Sequence, residues 1–279
     1  MKRKSGEGSK SQKVRDGTVG GEQPEAMRTA HASFAPHATA GPGQEDTLAR
    51  ALQNFRLDRH RSYTTQAEDA LRAAIVRGRL PPGTALSEAA ISTTLGISRT
   101  PAREALALLA DEQLVLIYPQ VKTVVAPVRR SLIDEGRFVR STLECSSHAE
   151  LVRTITQQQL DSLAALVVLQ RNAAAKSDVE AFFKLDEEMH RSMFEFAGRE
   201  HVWTMLQGVK RHFDRVRWLL LDRVAYHARR AQEEHEAIMD RLVARDAAGL
   251  TEAVSHHINA ITGHLKELRD RAPESYFVD

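Results

Sequence analysis

Four side chains in the C-terminal half of the sequence have the residue types and the spacing of a metal site. Asp186 and His190 lie four residues apart in a helical pattern, so they share one face of that helix. His235 and His257 each lie 11 residues from Asp246, where a turn is predicted, so an antiparallel helix pair brings them to one level. Three imidazoles and one carboxylate suit a divalent ion, with Zn²⁺ expected first and Ni²⁺ or Mn²⁺ as alternatives.

A charged pair on the helix that opens this half would favour an acidic ligand. Arg140 and Glu144 lie four residues apart in "RFVRSTLE". A guanidinium beside a divalent ion can bind a carboxylate bidentately while the metal binds another oxygen. The spacing itself fits either a simple surface ion pair or, beside such an ion, a pair that contacts a small organic acid. The adjacent Cys145, the single cysteine of the chain, is predicted to be a small buried apolar residue.

The stretch "LGISRTPAREAL" at 95–106 has the composition of a helix that reads DNA. Gly96 permits a sharp turn, and Ser98 is predicted to cap the following helix through its hydroxyl. The side chains at the exposed N-terminal end of that helix are Arg99, Thr100 and Arg103. Such an end enters the major groove, where arginine pairs with guanine. The alternative is an ordinary surface helix in which Glu104 offers the arginines an ion-pair partner.

The elements around this stretch have the order of a winged helix-turn-helix. The sequence predicts a helix opened by a capping box at Thr65 and Glu68, helices at about 87–95 and 98–112, and β-prone runs at 114–118 and 123–128. The two β-prone runs would form a small hairpin wing. Lys122 lies in the hairpin connection, where it is predicted to contact DNA.

From Ser131 onward the apolar residues recur with a helical period. The predicted helices are 131–153, 156–175, 178–197, 200–222, 226–245 and 248–270. Thr156 and Ser177 open capping-box patterns, and Gly198 and Gly249 mark predicted breaks. The fold class is therefore mainly α, with three helices and a β-hairpin wing followed by an all-helical bundle of six or seven helices.

Two parts of the sequence resemble known bacterial domains, over roughly residues 65–270. "IVRGRLPPGTALSEAAISTTLGISRTPAREALALLADEQLV" resembles the DNA-binding domain of the GntR family. "LDEEMHRSMF", "EEHEAI" and "AVSHHINA" resemble the segments that carry metal ligands in the FCD domain of its FadR-type subgroup. The resemblance implies that Arg99, Thr100 and Arg103 contact DNA, that Asp186, His190, His235 and His257 bind metal, and that Arg140 faces the ligand cavity. The sequence departs from the GntR pattern at Gln113 and Lys122, where glycine is usual, and at Ala89, where arginine is common.

The chain is expected to divide into four regions. These are a disordered basic arm (1–62), the winged helix-turn-helix (63–128), the FCD domain (129–272) and a short tail (273–279). The net charge is only +2, so the distribution of charge rather than its total points to nucleic acid. No apolar run reaches the ~18–20 residues that cross a bilayer, and the single cysteine fits the reducing cytoplasm.

These features predict a DNA-binding transcription regulator, expected to be a repressor and not an enzyme. A homodimer would bind an inverted repeat in double-stranded DNA, and a small organic acid at the metal site would control operator affinity. One alternative is a regulator that senses the metal ion itself. Another is a metal-dependent hydrolase, although beyond the ligands and Glu144 the sequence offers no convincing general base.

Overall fold

Helices dominate the computed structural model of the protein, which describes residues 44–223, 225–271 and 273–278. None of the described helices combines the length and apolarity that crossing a membrane would need. Most of the predicted basic arm, residues 1–43, lies outside the described residues.

The N-terminal region is a winged helix-turn-helix. Its elements are α1 (Gln44–Leu52), α2 (Tyr63–Val76), β1 (Ala85–Leu86), α3 (Glu88–Leu95), α4 (Arg99–Asp111), β2 (Val115–Tyr118) and β3 (Lys122–Val125). The strands form one antiparallel sheet in the order β1-β3-β2, with Leu116 opposite Val124. The sequence predicted the hairpin but missed β1, which is only two residues long and is defined by its pairing with β3.

The prediction that residues 1–62 are disordered is wrong for α1. Leu48, Ala51 and Leu52 are buried in the same hydrophobic core as the helices of the winged domain. Four apolar residues within nine, of which Ala49 is exposed, give a weak periodic signal, and the segment follows a stretch rich in glycine, alanine and proline. Contact with the winged domain therefore stabilises a helix that local composition did not indicate.

Helix α2 begins earlier than its predicted capping box. Its N-cap is Ser62, whose hydroxyl accepts a hydrogen bond from the Thr65 amide at 3.4 Å. Glu68 contacts Arg72 rather than reaching back to a cap. The reading of Thr65 and Glu68 as the capping box is thus wrong, because a serine three residues upstream already satisfies the exposed amide.

The C-terminal region is a bundle of six long helices flanked by two short strands. Its elements are β4 (Val128–Arg129), α5 (Arg130–Thr154), α6 (Gln157–Ala175), α7 (Val179–Phe196), α8 (Glu200–Arg223), α9 (Ala225–Val243), α10 (Ala247–Arg271), a 3₁₀ turn (Glu274–Tyr276) and β5 (Phe277–Val278). Each long helix lies within a few residues of its predicted range. β5 pairs in parallel with β4, so the segment predicted as a tail is partly ordered.

The bundle core contains apolar residues from all six long helices. Helix α5 approaches α8 closely at Gly136, where a Cβ atom would lie 3.0 Å from the Val209 carbonyl oxygen. The sequence of α8 predicts one apolar seam along the helix. Leu206, Phe213, Val216 and Leu220 of that seam are buried, whereas Val202 is partly exposed and Val209 is exposed. This packing fixes the position of α8 along its own axis relative to α5 and α7.

Two of the predicted helix boundary signals are right and two are wrong. Gly198 lies between α7 and α8 with a left-handed φ of 68°, as expected for a break. Thr156 and Gln159 form the predicted reciprocal capping box at the start of α6. Helix α7 is capped by Asp178, because Ser177 has a left-handed backbone with φ 54°. Gly249 lies inside α10, and its amide donates to the Asp246 carboxylate at 2.9 Å, so Asp246 marks the turn.

The turn before α4 depends on the left-handed backbone of Gly96, which has φ 68°. A Gly96→Ala variant should lower the free energy of unfolding by about 1 kcal/mol, because a Cβ atom disfavours this conformation. Gly263 is the matched control, since it lies inside α10 and an added Cβ also meets open space there. Gly263→Ala should instead stabilise by about 0.5–1 kcal/mol. Denaturant unfolding followed by circular dichroism measures both, and equal effects would contradict the prediction.

Candidate functional site

Four residues predicted as metal ligands meet in the interior of the bundle. Helix α7 carries Asp186 and His190, α9 carries His235 and α10 carries His257. One potential ligand atom from each lies within 4.8 Å of the others. The Nε2 atom of His235 lies 3.3 Å from Nε2 of His257 and 3.4 Å from Oδ1 of Asp186. Equal distance from the Asp246 turn thus places the two later histidines side by side.

A neighbouring oxygen lies within 3 Å of the Nδ1 atom of each imidazole. The partners are Glu144 Oε2 for His190 at 2.9 Å, Gln170 Oε1 for His235 at 2.6 Å, and Glu234 Oε2 for His257 at 2.9 Å. Metal-binding histidines usually donate their second ring nitrogen to a carboxylate or carbonyl in this way. The Gln170 amide nitrogen donates to the Leu185 carbonyl at 3.1 Å, which turns its oxygen toward the ring. The three Nε2 atoms are therefore left for a common ligand.

The buried polar atoms of this cluster fit a divalent cation. Within the described residues, Asp186 Oδ1 and His190 Nε2 are buried and have no hydrogen-bond partner. Such atoms are costly to bury, and a cation would satisfy both. Burial lowers the pKa of His235 well below its ordinary value, and it lowers the pKa of His257 as well. Both rings are therefore neutral at pH 7 and can offer a lone pair.

Arg217 of α8 binds the Asp186 carboxylate, a contact that the sequence analysis missed. Its guanidinium contacts Asp186 Oδ2, which leaves Oδ1 facing His235. Burial favours the neutral acid, but Arg217 and the imidazoles outweigh it, so the pKa of Asp186 lies far below its usual range. The signal in the sequence was an arginine four residues after the buried Phe213. The carboxylate is thus ionised and held in one orientation.

Arg140 and Glu144 form a buried pair rather than a surface one, and only Arg140 reaches the adjacent cavity. Arg140 is buried, donates to Glu144 Oε1 at 2.6 Å and lies 5.0 Å from the centre of the Phe213 ring. Both oxygens of Glu144 are occupied, one by Arg140 and one by His190. Glu144 therefore orients the His190 imidazole from its Nδ1 side, whereas Arg140 borders the adjacent cavity. The neighbouring Cys145 is only half-buried.

A cavity with an open mouth adjoins the cluster. Together with the solvent-open space at its mouth it measures about 550 Å³, and Asp186 and His257 form part of its wall. Three arginines border it: Arg140, Arg217 and Arg230. Phe182, Phe213 and Ile261 supply apolar wall. The arrangement combines cations with an apolar lining, which suits a small anion that carries a carbon skeleton.

The N-terminal end of α4 is exposed, as expected for a helix that reads DNA. Its exposed side chains are Ser98, Arg99, Thr100 and Arg103, whereas Ala102, Leu106 and Leu109 are buried. Arg103 does not pair with Glu104: its Nε and Nη2 atoms donate to Glu88 at 2.8 and 2.9 Å. Glu104 instead accepts from Thr64 at 2.7 Å. Ser98 occupies the N-cap position but makes no capping hydrogen bond, so its predicted role as a side-chain cap is wrong.

The tip of the wing differs from the prediction at Lys122. This residue begins β3 opposite Tyr118, and its Nζ atom lies 6.0 Å from the centre of that ring. The turn itself uses Gln120, with φ 59°, in place of a glycine. Gln113 also has a left-handed φ of 57°, at the position where the GntR pattern has glycine. Lys122 therefore lies beside the wing tip rather than at it.

Comparison with known proteins identifies both regions. Residues 63–125 match the model of bacterial regulatory proteins of the gntR family, and residues 135–260 match the FCD domain. An HTH-type transcriptional regulator from an unstable DNA locus of Streptomyces ambofaciens is 32% identical over 214 residues, which cover 75% of this chain and 87% of that protein. The chain belongs to the GntR family.

Other members agree with this assignment. The HTH-type transcriptional repressor RspR of Escherichia coli K12 is 30% identical over 199 residues, covering 71% of this chain and 87% of that one. The structure of E. coli McbR/YncC aligns with 76% of this chain and 99% of its own, with a TM-score of 0.63 and 23% identity, and so supports the fold. The protein is a DNA-binding transcription regulator and not an enzyme, and the hydrolase alternative is wrong.

Helix α8 of this GntR regulator contacts the DNA-binding domain directly. Glu112, which follows α4, accepts from Arg211 at 2.7 Å, and its carbonyl oxygen lies 3.1 Å from His212 Nε2. Arg215 donates to the Ala126 carbonyl at 2.9 Å. Burial lowers the pKa of His212 to about 4, so this contact is made by a neutral ring at pH 7. The helix that carries Arg217 therefore also holds the end of the DNA-facing helix.

Proposed function

We propose that a small organic acid, bound beside a divalent metal ion in the FCD domain, controls the operator affinity of this GntR regulator. The observation that carries the proposal is the buried cluster of three imidazoles and one carboxylate on the wall of a cavity bordered by arginines. Asp186, His190, His235 and His257 would hold the ion. Zn²⁺ is the expected ion because it accepts a set of three nitrogens and one oxygen, with Ni²⁺ or Mn²⁺ as alternatives.

The metal would supply a cationic anchor for one oxygen of the acid. Arg140 and Arg217 are already engaged by Glu144 and Asp186, so each keeps only part of its fork for a ligand. Arg230 is more exposed and makes one long contact, 3.3 Å, to Glu234. It is the arginine most free to turn toward an incoming carboxylate, which supports a role in effector binding.

On the DNA side, we propose a cytoplasmic homodimer that binds an inverted repeat in double-stranded DNA. Each subunit would place Ser98, Arg99, Thr100 and Arg103 in a major groove, with Lys122 near the adjacent backbone. Repression is the proposed outcome because relatives are named as repressors, RspR of E. coli and the gluconate operon repressor of Bacillus subtilis among them. The acid would weaken operator binding and so relieve repression.

The test measures DNA binding by fluorescence anisotropy, with the promoter fragment of the protein's own gene. Zinc-loaded protein is titrated with a panel of monocarboxylates, dicarboxylates and sugar acids. We expect one acid to weaken binding about 5–150-fold, the range of typical coupling energies, and chelation of the metal to abolish that response. If zinc alone shifts affinity and no acid does, the protein senses the metal, and the proposal for an organic acid is wrong.

Arg230→Gln should raise the concentration of acid needed for half-maximal release of DNA by about tenfold or more, because a charged hydrogen bond is lost. Metal content and DNA binding without effector should not change, since Arg230 contacts neither the ligand atoms nor α4. Arg229→Gln is the matched control, because Arg229 is adjacent in sequence but exposed and absent from the cavity wall. Equal responses of the two variants would remove Arg230 from the effector site.

A further inference from the structure

A second group of metal-binding side chains lies between α9 and α10. His227 of α9 meets His264 and Glu267 of α10, and one potential ligand atom from each lies within 4.8 Å of the others. Glu267 Oε2 lies 3.7 Å from both His227 Nε2 and His264 Nδ1. The two imidazole rings meet edge to face with their centres 4.3 Å apart. We propose that these three residues bind a second divalent cation.

The second group is separate from the first but belongs to the same helix pair. His264 follows His257 by seven residues on α10, which is roughly 10 Å along the helix axis. His227 precedes His235 by eight residues on α9, roughly 12 Å in the opposite chain direction. Both shifts lead away from the Asp246 turn, so each helix again contributes a histidine at a matching level. The antiparallel pair therefore repeats, further from its turn, the arrangement that brings His235 and His257 together.

The distances and residue types suit a small borderline cation. Ligand atoms at about 2.0–2.1 Å from a tetrahedral ion are roughly 3.3–3.4 Å apart, so the 3.7 Å separations need only a small adjustment. Glu267 can make it, because its side chain is 37% exposed. Two nitrogens and one carboxylate oxygen favour Zn²⁺ over Ca²⁺ or Mg²⁺, which prefer all-oxygen sites. Three protein ligands leave at least one coordination position open.

Two of the three residues in this group border the proposed effector cavity. His227 and His264 form part of its wall, as Asp186 and His257 do at the first cluster. A cation here would place a second positive centre on the cavity wall, two helix turns from the first. It would add to the attraction that Arg230 exerts on an anion entering the cavity.

The experiment counts zinc ions in the full-length protein. The protein is stripped with a chelator, dialysed against buffered Zn²⁺ and measured for bound metal per chain. We expect two equivalents in the unmodified protein, one in His264→Ala and one in Glu267→Gln. The double variant His235→Ala/His257→Ala should also keep one, which shows that the two sites fill independently. His201→Ala, which removes an exposed histidine of α8, should keep two.

Glu267→Gln keeps the size of a partly exposed side chain, so it tests the site without emptying the interior. Circular dichroism confirms that each variant is folded. The second site would be overturned if His264→Ala and Glu267→Gln both keep all the zinc that the unmodified protein binds, whether that is one equivalent or two. The first site is judged separately, by the loss of one equivalent in the His235→Ala/His257→Ala variant.

Discussion

Replacing His235 and His257 together with alanine should remove one equivalent of divalent metal from the protein and leave its DNA binding without effector intact. Two of the four ligands at the first cluster are then missing. Loss of a single outer partner of a ligand already costs about 10–100-fold in metal affinity, so the loss of two ligands should exceed that range. Metal analysis after dialysis measures the bound ion, and fluorescence anisotropy with operator DNA measures DNA binding without effector.

His256→Ala is the matched control for this variant. His256 adjoins His257 in sequence, but its side chain is 67% exposed and approaches only the outer oxygen of Glu234, at 3.9 Å. Its removal should leave metal content unchanged. Gln170→Ala should give an intermediate result, because it removes only the oxygen that holds His235 at 2.6 Å. If the double variant keeps its full metal content, the four residues do not form the site.

The sequence predicted the long helices well because each carries enough apolar residues to define a period. It failed where an element exists only through a tertiary contact. β1, β4 and β5 are two residues each, too short for an alternating pattern to register. Helix α1 was missed because its burial against the winged domain, rather than its composition, holds it in place.

The residues of the candidate site also divide into those that the sequence could predict and those that depend on a tertiary contact. His235 and His257 could be paired from the sequence because both distances are counted from one turn. Arg217 could not, because an arginine in an apolar helix seam is indistinguishable from a surface residue until its partner is known. The ion-pair partner that the sequence offered for Arg103, Glu104, was likewise wrong. The observed partner, Glu88, is near in space but lies 15 residues away in sequence. Helical spacing thus predicts which residues share a face, but not which faces meet.

Helix α8 offers a physical route between the proposed effector cavity and DNA. Arg217 binds Asp186 at the proposed metal site, and about 9 Å along the same helix Arg211 binds Glu112 at the end of α4. A ligand that draws Arg217 away from Asp186 would remove the ion pair that ties α8 to α7. Because α8 is packed against α5 at Gly136, it should respond by a small shift as a unit rather than by bending. We expect this shift to reach α4 through Glu112.

Arg103→Ala should weaken operator binding by ~1–3 kcal/mol, which is about 5–150-fold in the dissociation constant. The guanidinium is exposed at the N-terminal end of α4, where it can reach a guanine edge. In the free protein it is already paired with Glu88 at 2.8 and 2.9 Å. The measured loss is therefore the difference between its contact with DNA and this exposed ion pair. Because exposed ion pairs contribute little, most of the contact with DNA should remain visible.

Arg153→Ala provides the control, because it removes an exposed arginine from the FCD domain rather than from α4. Anisotropy measured with operator and with scrambled DNA then separates two roles for Arg103. If Arg103 contacts a base, the variant loses affinity for the operator alone. If it contacts a phosphate, the variant loses affinity for both DNAs, and the slope of log affinity against log salt concentration falls by about one. We expect the first pattern, because Arg103 lies one turn into the helix, past the backbone amides that suit phosphate. Unchanged binding to both DNAs would remove Arg103 from the interface and leave Arg99 as the arginine of α4 that contacts DNA.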